Sequence, residues 1–162
     1  MQDIPALIKS LENTGPILAE FVRSIPAEQM NRQRGEGFWT IAEHISHLAQ
    51  VQAMLLERLQ RFMTEERPEF VPYIPGDDEV ETQLPLLTAD EALEVFARDR
   101  TRQLALLAKA DEAVWRKTAV HPEYELYSMH ILIRHILMHD HWHMYRMEEL
   151  WLTKDPYLTK LE

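Results

Sequence analysis

Aliphatic residues recur at helical spacing in four separate stretches of this chain, and most of the stretches carry their own start or stop signals. The first runs from about Asp3 to Ser24 and sets Ile4, Leu7, Ile8, Leu11, Leu18, Phe21 and Val22 on one stripe, with Asp3 and Pro5 as N-terminal punctuation. Gly15-Pro16 is expected to kink or break it, because proline lacks the N–H and crowds the preceding turn. The second opens on Thr40-Ile41-Ala42-Glu43, which has the form of a capping box, and continues to about Met63 through Leu48, Leu55, Leu59 and Phe62. Residues 67 to 87, with Pro68, Pro72, Pro75, Gly76 and Pro85, then form a long connection of the kind that joins non-adjacent helices or covers a site. A second capping-box pattern, Thr88-Ala89-Asp90-Glu91, opens a third helix to about Lys109, with Leu93, Phe96, Leu104 and Leu107 inward and a very polar middle. The fourth spans about Ser128 to Leu152. With no internal repeat and only 4 Gly, the expected fold class is all-α, a four-helix bundle with a long crossover connection between helices two and three.

At 162 residues the chain suits one domain, residues 1 to 162, whose tail from Thr153 to Glu162 is too short and polar to be another. Cysteine is absent, which removes disulfides, thiolate ligands and a cysteine nucleophile, so any metal must be held by nitrogen and oxygen. No signal-peptide pattern and no spanning-length apolar run are present, so a soluble, cytoplasmic protein with no membrane partner is expected. The formal net charge of −10 opposes a phosphate backbone, so no nucleic-acid partner is expected either.

Five of the 8 histidines, His130, His135, His139, His141 and His143, fall in one short stretch of the fourth segment. At 100° per residue, Leu132, His135, His139, His143, Arg146 and Leu150 lie in one narrow stripe that faces the bundle. His139 and His143, spaced i, i+4, can direct two imidazoles at one ion and leave at least one ligand to come from elsewhere. Helix two offers His44, near the centre of its apolar stripe, and His47, at the edge, and periodicity does not choose between them. Stacked imidazoles are costly to bury merely as polar groups, and an ion that uses their lone pairs removes much of that cost. His121, His130 and His141 read as ordinary polar residues away from this stripe, while His135 is a further candidate ligand or substrate contact.

The stretch Trp39-Thr40-Ile41-Ala42-Glu43-His44-Ile45-Ser46-His47-Leu48 resembles the helix-two pattern of the DinB/YfiT-like metalloenzymes: Trp, Ser or Thr, two variable residues, Glu, three variable residues, then His-Leu. His139-Asp140-His141-Trp142-His143 resembles its helix-four partner, His-Asp or His-Glu, two residues, then His. Order, separation and the four-helix plan match over nearly the whole chain. The resemblance implies that His47, His139 and His143 ligate one divalent metal, nickel or zinc, with His44 a neighbouring pocket residue. It departs from the family where Arg146 stands in place of a frequent Gln, and where Gln50 and Gln52 stand in place of a frequent acidic residue.

Three neutral imidazoles leave coordination positions open, as in catalytic rather than structural sites, and an ion so held can activate water or a thiol. Relatives known for thiol-dependent S-transfer or maleylpyruvate isomerisation imply a low-molecular-weight thiol cosubstrate, and others labelled as hydrolases imply hydrolysis of a small-molecule substrate. The competing reading is a bundle that holds a metal or small ligand without turnover. Glu43 or His44 is a candidate general base, Glu43 also fitting the capping box; Asp140 points about 100° from the ligands, toward a supporting hydrogen bond. Arg146 shares the ligand face and suits either an anionic substrate group or a salt bridge. Ile133, Leu137, Met144 and Trp151 give helix four a second apolar face, which either the chain's own first helix or crossover covers, or a second copy in a homodimer.

Overall fold

A computed structural model describes residues 3–71 and 84–161. Four long helices carry it: α1 (Ile4–Ser24), α2 (Ile41–Thr64), α3 (Ala89–Leu107) and α5 (Met129–Leu152). Between them lie a 3₁₀ turn at Ala27–Gln29, a short α4 (Glu112–Arg116) and the two-residue antiparallel strands β1 (Thr118–Ala119) and β2 (Tyr127–Ser128), followed by α6 (Asp155–Leu158). Both expected capping boxes form: the Thr40 and Thr88 hydroxyls accept from the Glu43 and Glu91 amides, and each glutamate reaches back to its threonine's N–H. These reciprocal bonds satisfy backbone donors that a helix start leaves unpaired.

Gly15-Pro16 does not break α1, which runs unbroken from Ile4 to Ser24 with Pro16 inside it. The carbonyl that Pro16 cannot pair with belongs to Glu12, an exposed residue, where a missing internal donor costs less than it would in the core. The structure also adds what periodicity did not predict, the small hairpin that presents the 120–126 loop.

Helix neighbours and directions follow from a few contacts. α2 packs on α3 and α5, and α1 also packs on α3 and α5, so α1 and α2 stand diagonally opposite. The Ser46 hydroxyl accepts from the Leu87 amide and Gln52 meets Gln103, so α2 and α3 run parallel. Asp3 meets His130 near one end of α1 and Phe21 meets Trp151 near the other, so α1 and α5 are parallel as well. A parallel α2–α3 pair requires a connection that travels back along the bundle, which is the crossover expected at residues 67 to 87. Its described ends fit: Phe70 is buried and its amide donates to Val120, while Pro85 accepts from Gln50 on α2. Pro72, Pro75 and Gly76 lie outside the described residues.

The second apolar face of α5 is covered within the chain. Ile133 is fully buried in the same core cluster as Leu11, and Met144 and Trp151 pack with Leu18 and Val22 of α1. Of the two alternatives the sequence left open for this face, the chain's own first helix is the one that covers it.

The polar middle of α3 is the other departure. Arg100 and Asp140 are almost wholly buried and form an ion pair at 2.7 Å. Arg100 also donates to Gln103 at 2.9 Å, and Gln103 donates to Gln52 at 2.9 Å.

Candidate metal centre

α2 and α5 are antiparallel neighbours, so their histidines meet in reverse order: His44 opposite His143, and His47 opposite His139. The Nε2 of His139 lies 3.1 Å from Nε2 of His47 and 3.1 Å from Nε2 of His143. One ligand atom from each of these three lies within 4.8 Å of the other two. On the far side of its ring, His143 uses Nδ1 to meet Nδ1 of His44 at 2.8 Å. His143 thus turns one nitrogen to the cluster and the other to a buried partner, the arrangement by which metal-bound histidines are usually oriented.

Burial sets the protonation of the group. It pulls the imidazoles of His44 and His47 down to about 4, the nearby Arg146 charge adding to the effect at His44 and His139 adding to it at His47. Burial also lowers His139 and His143, the latter pressed further by His139, His47 and His44. All four are neutral near pH 7 and keep their lone pairs. Three such nitrogens, gathered with no carboxylate of the described residues among them, repel one another unless a cation or shared proton lies between them. Among the described residues the buried Nδ1 of His139 has no hydrogen-bond partner, and only the cluster engages this ring's nitrogens. The donor set, all imidazole nitrogen and one open side, fits a divalent transition metal.

The cluster borders a cavity of about 780 Å³. All six residues of the stripe expected on the fourth long helix, Leu132, His135, His139, His143, Arg146 and Leu150, line it. Trp39 closes the α2 side, its ring 4.8 Å from that of His47 and stacked 5.8 Å from that of His143; Trp142 meets His143 edge-on at 4.7 Å. Both indoles line the cavity beside the nitrogens.

The chain's match to the DinB superfamily covers residues 10–147, a span that includes both histidine motifs and all four long helices in whole or part. This chain belongs to the DinB superfamily. The chain is similar to a candidate metal-dependent hydrolase of Oceanobacillus iheyensis, 29% identical over 100 aligned residues, with 58% of this chain and 56% of that protein covered. The match thus spans little more than half the length of the curated relative. YfiT from Bacillus subtilis, described as a probable metal-dependent hydrolase with an unusual four-helix bundle topology, superposes with a TM-score of 0.79 at 22% identity, covering 93% of this chain and 86% of YfiT. That likeness establishes the four-helix fold. The three-histidine cluster and the family together mark a metal-binding DinB protein.

Not every candidate joins the cluster. Glu43 is held in the capping box, its carboxylate 2.6 Å from the Thr40 amide and 2.8 Å from the Thr40 hydroxyl. Asp140 does not contact a ligand ring; it pairs with Arg100 across the bundle, burial pushing its carboxyl up while the guanidinium opposes that. Arg146 lines the cavity but is paired with Glu149 at 2.7 Å. His135 stands apart from the three ligand atoms and packs its ring 5.3 Å from Tyr124 and 5.6 Å from Tyr127. His121, read from sequence as an ordinary loop residue, also lines the cavity. The signal was local: His121, Tyr124 and Tyr127 fall within one short loop of three aromatic rings.

Proposed function

We propose that this DinB protein is a metal-dependent enzyme that activates water for attack on a small-molecule substrate, a hydrolase. The observation that carries the reading is the convergence of the His47, His139 and His143 Nε2 atoms at the wall of an open cavity. A divalent ion held there supplies Lewis acidity, lowering the pKa of a coordinated water or thiol and polarising a carbonyl. The protein's own contribution is to keep three imidazoles neutral by burial, to orient His143 through His44, and to line the cavity beside them with Trp39 and Trp142. The relatives described as hydrolases support this choice. Nickel and zinc both suit an all-imidazole donor set, since selectivity among such metals rests on geometry and supply.

One feature favours a second reading, transfer of a low-molecular-weight thiol to an electrophile. The cavity has lining residues on both sides of the cluster, Phe38 and Leu161 on one and Tyr124 and Leu132 on the other, and a thiol beside an electrophile would use both. A homodimer belongs to the proposal too, on a surface other than the one expected: Met138, Trp142, Tyr145 and Leu152 form an exposed apolar stripe on α5.

The test is elemental analysis of untagged protein beside His139→Ala, followed by ester and amide panels run with and without glutathione-, bacillithiol- and mycothiol-type thiols. Metal-dependent turnover without thiol supports hydrolysis, and strict thiol dependence supports transfer. Full metal content in His139→Ala overturns the site, and a saturated metal with no turnover in any panel favours a non-catalytic binding protein.

A further inference from the structure

The cavity does not end at the three histidines. It continues between the second half of α2 and the start of α5, and this arm has a chemistry of its own. On α2 the residues His47, Val51, Met54, Leu55 and Arg58 all line it, at spacings of three and four that place them on one face. Across from them α5 contributes Leu132 and Ile136, so the middle of the arm is apolar.

At the far end four rings meet. His121 stacks on Tyr127 with centroids 4.8 Å apart, Tyr124 lies 4.9 Å from His121, and His135 lies 5.3 Å from Tyr124. The loop that carries three of them is pinned by the β1–β2 hairpin and by the Glu123 amide, which donates to Nδ1 of His121 at 3.2 Å. Beside these rings is Arg58. Its guanidinium donates to the Val71 carbonyl at 2.8 Å and sits 5.4 Å from the centre of the Phe70 ring, contacts that fix the group while leaving other N–H donors for a ligand. Among the described residues it forms no ion pair, in contrast with Arg146 near the other end of the cavity, which Glu149 neutralises. Glu123 also borders the arm, but its side chain is exposed and makes no ion pair with Arg58. A positive charge is thus placed at the end of an apolar channel in a chain whose net charge is −10.

We infer that this arm holds the tail of the substrate, an elongated acid whose apolar or aromatic chain lies along Val51, Leu55, Leu132 and Ile136 and whose carboxylate meets Arg58, while its reacting group lies at the three histidines. The inference rests on the metal-centre reading above for its reacting end only. His47 and Arg58 are eleven positions apart on one helix, about 16 Å of axial rise. Allowing for the reach of the arginine, roughly 10 Å remains, which about eight chain atoms span.

The probes follow from that length. In zinc-loaded protein, suberic acid monohydroxamate and octanohydroxamate offer the same metal-binding head, and only the first carries a carboxylate tail. Calorimetry is expected to show the carboxylate-tailed probe binding about tenfold tighter, the effect of one charge-assisted hydrogen-bonded pair. Arg58→Gln should reduce that ratio to about one at unchanged zinc content, and Arg58→Lys should keep most of it. In metal-free protein, octanoate should be preferred over octanamide, and Arg58→Gln should abolish the preference. Equal binding of the two hydroxamates in the parent, failure of both to bind, or a ratio that survives in Arg58→Gln overturns the inference. If zinc does not load at all, the metal reading fails, and the octanoate arm alone decides: a preference that depends on Arg58 sustains the anion site, and no preference removes it.

Discussion

His143 is the residue on which the site turns, because its two nitrogens serve different neighbours: Nε2 faces His139 at 3.1 Å and Nδ1 faces His44 at 2.8 Å. If His44 orients the ring, His44→Ala should weaken zinc binding by about 10- to 100-fold without removing it, whereas His139→Ala should remove it. A competition titration against a chromophoric chelator separates the two, and equal loss in both variants would make His44 a ligand in its own right. The residue scale also shows what a sequence can and cannot disclose. The pair His139 and His143 was legible from spacing alone. The choice of His47 over His44 was not, since both lie on the apolar side of α2, and the rings that differ by one turn differ in role only through what α5 sets opposite them. His121 escaped notice because its function as a cavity wall depends on a loop whose position no periodicity encodes.

At the scale of elements, Thr40 and Glu43 open the helix that carries His44 and His47. Thr40→Ala should cost about 1 kcal/mol of stability, measured by denaturant unfolding, and Glu43→Ala should behave alike while leaving metal content and turnover near parental levels. A collapse of turnover in a metal-replete, folded Glu43→Ala would instead support its role as a base. The Arg100–Asp140 pair is expected to be more demanding. Replacing Arg100 by Met leaves a buried carboxylate without its partner and should cost about 3–5 kcal/mol, and joining that change with Asp140→Leu should recover much of the loss. Helix limits were readable because caps and stripes agree locally. The run Asp99, Arg100, Thr101, Arg102, Gln103 was read only as polar, because its partners Gln52 and Asp140 lie far away in sequence and no local pattern announces a buried network. Gly15-Pro16 does not end the helix for the converse reason: proline's local cost is real, but a helix packed on two neighbours continues through it.

Across the whole molecule, the depressed histidines govern response to acid. In metal-free protein the unfolded imidazoles take up protons near 6.5, whereas His44 and His47 resist until about 4. The unfolded state therefore binds more protons in that window, and stability should fall as pH drops from about 6.5 to 4, with little further loss from these groups below it. Thermal melts of the metal-free protein across this range check the slope, and zinc should raise the melting temperature most at the upper end, where ligands need not shed protons. Sedimentation of Met138→Lys with Leu152→Lys, which carry charge onto the exposed stripe of α5, tests the dimer: a parental dimer that becomes monomeric supports that surface, and an unchanged state removes it.

The diagonal, parallel arrangement of the bundle has a consequence for how the protein comes into being. His47 and His139 are separated by 92 residues, and the segments between them include the crossover and all of α3. During synthesis, the first imidazoles emerge well before their partners, and no binding pocket exists until α5 has left the ribosome and docked. Closing so long a loop is an entropic task that the apolar core and the Arg100 network must accomplish first. The ion is thus a late arrival, inserted into a finished frame. Cells short of the metal would accumulate a folded, fillable reserve rather than debris for proteases.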